Sequence, residues 1–87
     1  MKYIVYSLDE VEQIIIFSKK IDHDKMAETL NFIRYGGMDW NRKFHKVVSA
    51  GFISMSPANG LWCHGRSETL NKDSRPELDN ALLRASL

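Results

Sequence analysis

Four side chains of this 87-residue chain belong to the types that bind transition metals: His23, His45, Cys63 and His64. Their spacing argues against a metal site. Cys63 and His64 are adjacent, His45 lies far upstream and His23 farther still. No C-x-x-C or H-x-x-x-H pair is present to preorganise a tetrahedral site. The simpler expectation is a buried structural Cys63 and surface histidines. Nucleophilic chemistry fares no better, since a thiol or hydroxyl needs a base beside it. On a strand Cys63 and His64 point to opposite faces, and Ser67 and Ser74 have no evident base. Asp9, Glu10 and Glu12 read as a solvated loop. The expectation is a protein that is not an enzyme and implies no cofactor.

Anion binding suits the residues better. Arg66 follows Gly65 directly after an apolar run, and Arg75 precedes Pro76 at the start of a helical pattern. Both arginines fall at the ends of regular elements, where a guanidinium fork can grip a phosphate through two N–H groups. The free N–H groups of a helix start attract the same charge. Asn59 or Ser67 could orient such a ligand, and Trp62 or Phe52 could stack a base. The competing reading pairs Arg66 and Arg75 with Glu68, Asp73 or Asp79 on the surface, where each pair contributes little.

A second constellation interleaves Tyr35, Trp40 and Phe44 with Arg34, Arg42, Lys43, His45 and Lys46. Aromatic rings among cations can stack bases or anchor a protein partner. A net charge of +1 and a pI near 7.9 make nucleic acid the weaker choice. Charge is nonetheless uneven: residues 1–33 carry four lysines and six acids, whereas residues 34–75 carry seven Lys/Arg and three acids. A basic middle segment draws anions.

These groups must be positioned by a small number of elements. Residues 2–7 alternate and are rich in Tyr, Ile and Val, which predicts a strand. Residues 13–18 hold three consecutive isoleucines and a phenylalanine, which predicts a second strand, buried on both faces. Residues 8–12 then form a hairpin loop with Asp9 at the turn. Asp22 suits the N-cap of a helix running to residue 33, with Met26, Leu30 and Ile33 on one face and Ala27 beside them. Ile21 would pack on Met26 as a staple, and Gly36-Gly37 stops the helix. Residues 36–46 form a loop. Residues 46–56 and 61–64 form a strand pair around a turn at Pro57-Ala58-Asn59-Gly60. Gly51 within a strand signals a bulge or a close backbone approach. Glu77, Leu78, Ala81, Leu82 and Ala85 outline a second helix, with Arg75 as cap and Pro76 first inside; Ser74-x-x-Glu77 offers a capping box instead.

The order ββαββα predicts an α+β fold: a four-stranded, mainly antiparallel sheet with two helices on one face. Residues 1–87 make a single domain near the lower size limit for folding without staples. At 44% hydrophobic and 26% charged the composition is that of a folded globular chain. One cysteine fits a reducing compartment, and no apolar run approaches the roughly 18 residues that span a bilayer. No signal peptide is evident. The expected location is cytoplasmic. An exposed sheet edge on so small a core predicts a homodimer or higher homo-oligomer.

The pattern His45, Ser49-Ala50-Gly51-Phe52, Gly65-x-Ser67-x-x-Leu70 and Ser74-Arg75-Pro76-Glu77-x-Asp79 resembles a family of short phage and prophage proteins of mostly unknown function. The stretch His23-Asp24-Lys25-Met26-Ala27 is similar to that family's helical segment. The region also resembles the Thoeris anti-defence signal-sponge family, oligomeric phage proteins that sequester cyclic nucleotide signals without chemistry. That resemblance implies a small anionic nucleotide-like ligand held by Arg75 first and by Asn59 second, in the host cytoplasm if the chain is phage-encoded. The alternative is a phage protein that inhibits or adapts a host protein through Tyr35, Trp40, Arg42 and Phe44.

Overall fold

The structure, a computed structural model, describes residues 1–8, 10–35, 47–58 and 60–86, with backbone alone for residues 8 and 31–35. The expected turn residue Asp9, the loop at 36–46, with Trp40, Arg42 and Phe44, and Asn59 lie outside the described residues, as do the side chains of Ile33, Arg34 and Tyr35.

Strand β1 (Lys2–Leu8) runs through the middle of the molecule. Tyr3, Ile4 and Val5 are fully buried and Tyr6 nearly so. A strand with no polar residue across that stretch must be covered on both faces, because successive side chains point to opposite sides. Strand β2 (Val11–Phe17) pairs antiparallel with β1 through seven consecutive residue pairs, from Lys2↔Phe17 to Leu8↔Val11. The connection is shorter than the sequence suggested, and Glu10 takes a positive φ of 67° in it. On the other side of β1 lies β3 (Val47–Ser56), followed by β4 (Gly60–His64). The sheet order is β2-β1-β3-β4, all antiparallel. The triple isoleucine therefore lies on an edge strand, not one buried on both faces, and only Phe17 of β2 is buried.

Helix α1 (His23–Tyr35) begins directly after Asp22, as expected of the cap. Its Met26, Ala27 and Leu30 pack with Ile4, Ile15, Phe17, Val47, Ala50 and Leu70. Helix α2 (Pro76–Ser86) lies on the opposite face, where Leu82 and Leu83 meet Tyr3, Val5, Ile14, Ile53 and Cys63. The expectation of both helices on one face is thus corrected. One layer of helices would have left half of β1 in water.

The orientation of α2 also differs from the amphipathic pattern. Leu78 is 59% exposed, and Ala81 and Ala85 face solvent, while Asp79 and Leu83 are fully buried. Polar anchors set this rotation: Asp79 bonds into the sheet, and Asn80 Oδ1 accepts from Cys63 N–H at 2.6 Å. Pro76 opens the helix and Arg75 precedes it, as expected.

Between β4 and α2 the chain forms a two-stranded ribbon, β5 (Arg66–Ser67) and β6 (Lys72–Asp73), which the local sequence pattern does not predict. Gly65, at φ +78°, turns β4 into it. Leu70 at its tip fills the α1-side core. The β3–β1 register slips between Val5 and Tyr6, so the bulge falls at Val48 rather than Gly51. Gly51 instead meets the other half of its expectation: a Cβ there would collide with the His64 carbonyl oxygen.

Candidate functional site

On the α1 side, His23 stands at the first position of the helix with its ring between two phenylalanines. Its centroid is 5.6 Å from Phe17 and 5.5 Å from Phe52, both edge-to-face. Its Nε2 donates to the Gly51 carbonyl at 2.8 Å, since a carbonyl can only accept. The ring is 4% exposed, not a surface histidine. Burial pushes its pKa below the usual imidazole value, partly offset by the bond to Gly51.

Beside this ring opens a cavity of about 450 Å3 lined by Lys2, Asp22, His23, Phe52, Arg66, Glu68 and Thr69. Lys2 comes from β1, where its Nζ donates to the Ile21 carbonyl at 3.1 Å and lies 3.9 Å from Asp22 Oδ1. Arg66 comes from the ribbon. It lies 3.6 Å from Glu68 and 3.1 Å from Asp73, and donates to Asn71. Both acids are 81% exposed, so neither pair holds firmly. Arg66 Nε approaches Asp73 in distance but is misaligned for a hydrogen bond. It is buried with no hydrogen-bond partner among the described residues. Thr69 Oγ1 accepts from Asp24 N–H at 3.2 Å, which ties the ribbon to the first turn of α1.

The aromatic row continues along the sheet. Phe52 lies 6.2 Å from His64, and His64 lies 6.1 Å from Trp62, both tilted. Ser54 Oγ and His64 Nε2 are 2.6 Å apart. Among the described residues no carboxylate bonds to His64. Ser67, by contrast, is fully enclosed, and its Oγ accepts from Leu70 N–H at 3.1 Å. Its hydroxyl holds the ribbon turn and does not reach the cavity as the expected orienting group.

Arg75 lies on the other face of the sheet. Its Nη1 and Nη2 fork onto Glu12 at 3.2 and 2.8 Å, and its Nε and Nη2 reach Asp79 Oδ1 at 3.2 and 2.9 Å. Asp79 also accepts from Tyr3 OH at 2.6 Å, Ser49 Oγ at 2.9 Å and Arg75 N–H at 2.9 Å. The hydrogen bonds from Arg75 hold the Glu12 carboxyl below its ordinary range, and Glu12 in turn raises Arg75. Two carboxylates occupy both sides of this guanidinium, leaving it no free fork for phosphate. The residue that the resemblance placed first is a scaffold cation here, and its partner Asp79 is buried rather than a surface acid. Cys63 sits in the same core, and burial pushes its thiol up to about 11.

The structure thus brings Arg66 and Phe52 to one cavity, places Trp62 farther along the same face and puts Arg75 on the opposite face. Lys2, His23 and Thr69 were not anticipated: they lie far from Arg66 in sequence, and no local motif links them. Among the described residues no group of His, Cys, Asp and Glu could hold a metal ion. Nor is any described helix long and apolar enough to cross a membrane.

The fold and the site define a small α+β domain with one helix on each face of a four-stranded antiparallel sheet. No protein-family model, no curated protein and no solved structure matches the chain.

Proposed function

We propose that the protein is a non-enzymatic binding module that holds a small anionic, nucleotide-like ligand in the cavity beside His23. Arg66 and Lys2 would take the phosphate, and Phe52 would stack on the base. The observation that carries this reading is the convergence of Lys2, Arg66, His23 and Phe52 on one cavity, whose two acids, Asp22 and Glu68, are largely exposed and pair with those cations at 3.9 and 3.6 Å. The volume is within the range of small-molecule sites. The resemblance to phage signal-sponge proteins supplies the setting, sequestration of a cyclic nucleotide signal of host immunity.

Native mass spectrometry of the purified protein, with a panel of cyclic dinucleotides and cyclic ADP-ribose isomers, tests the reading. The expected result is retention of one ligand by the wild type and its loss in Arg66→Ala. A protein that retains none of the panel overturns it and turns the search to a host-protein partner for Tyr35, Trp40, Arg42 and Phe44.

A further inference from the structure

The two edges of the sheet are not equivalent. Strand β4 is five residues long, and α2 reaches over it, with Asn80 Oδ1 taking up the Cys63 N–H at 2.6 Å. Strand β2 is seven residues long and keeps an unbroken register with β1, free of any bulge. Among the described residues no strand pairs with its outer side. Soluble proteins blunt such edges with lysines, prolines, bulges or inward charges. The sequence Val-Glu-Gln-Ile-Ile-Ile-Phe has none of the first three, and its one charge, Glu12, is held by Arg75. Val11 is 58% and Ile16 38% exposed.

We infer that a second copy of this chain adds its β2 to this edge, antiparallel about a twofold axis at Ile14, joining two sheets into one of eight strands. Self-complementarity selects the occupant. With Ile14 opposite its own copy, Val11 faces Phe17, Glu12 faces Ile16 and Gln13 faces Ile15. No like charges stand opposite one another, and the two exposed apolar side chains each gain a cross-strand neighbour. The inference is independent of the ligand reading.

Sedimentation velocity from micromolar to hundreds of micromolar protein tests it, together with amide exchange of β2. The wild type sediments at twice the chain mass at the upper concentrations, with β2 amides growing more protected as concentration rises. Ile16→Lys, or Val11→Lys should the first fold poorly, returns it to a monomer with unchanged circular dichroism. Met55→Lys, on another 76% exposed residue, leaves the dimer intact. A wild type that stays monomeric throughout, or a dimer indifferent to both β2 substitutions, overturns the inference.

Discussion

Asp79 is a fully buried carboxylate whose two oxygens accept from Tyr3, Ser49 and Arg75. Such a group is tolerable only because its partners replace water. Asp79→Ala orphans Tyr3 OH and Ser49 Oγ, leaves Arg75 with Glu12 alone, and should destabilise the fold by about 3–5 kcal/mol in urea unfolding at neutral pH. Tyr3→Phe removes one donor and keeps the Arg75 pairing, so its cost should be about 1–2 kcal/mol. The reverse order would contradict the assignment of Asp79 as the hub. Titration gives a second residue-scale test. The folded state resists protonating His23, while the unfolded chain takes up that proton below about 6.5. The His23 contribution to stability is therefore complete above that pH and is lost as pH drops below it. Glu12, held below its ordinary value of 4.5, adds a second loss as pH falls through its folded value. At the alkaline end, Cys63 favours its thiol form, so stability declines as pH rises from 9.0 towards about 11. His23→Gln keeps a donor for Gly51 and removes the titration. Its stability should be flat across the His23 window where the wild type declines, as read by unfolding at a series of pH values.

At the scale of elements, Gly51 of β3 lies against the backbone of His64, the last residue of β4. A Cβ would run into the His64 carbonyl, which belongs to backbone and cannot swing away. Gly51→Ala should separate the two strands, cost about 1–3 kcal/mol as overpacking does, and speed amide exchange in β4. Exchange unchanged in β4 would contradict that geometry. The four main strands and α1 were legible in the sequence because alternation, β-branching and Asp22 each speak locally. The face of α2 was not, since a hydrophobicity pattern turns every acid outward, whereas Asp79 is as fully buried as Leu83. The placement of the helices on opposite faces has a local signal in Tyr3-Ile4-Val5-Tyr6, which offers no polar side to solvent. The β5–β6 ribbon has two residues per strand, too few for alternation, and is held by Leu70 and Ser67 instead.

Across the whole molecule, the two arginines singled out by their positions at element ends are divided by the sheet. Arg75 is neutralised by Glu12 and Asp79, and Arg66 is loosely paired beside a cavity. Sequence reasoning could find Arg66 and Phe52, whose types suit a nucleotide. It could not find Lys2, His23 or Thr69, which only tertiary packing carries from the N-terminal strand, the start of α1 and the ribbon tip into one place. The most direct test of the account maps amide and side-chain NMR shifts on titration with the cyclic nucleotide retained in native mass spectrometry. A ligand seated in the cavity gives saturable shifts at Lys2, His23, Phe52, Arg66 and Thr69, absent in Arg66→Ala. Shifts gathered instead around Arg75, Pro76 and Leu78 would contradict it.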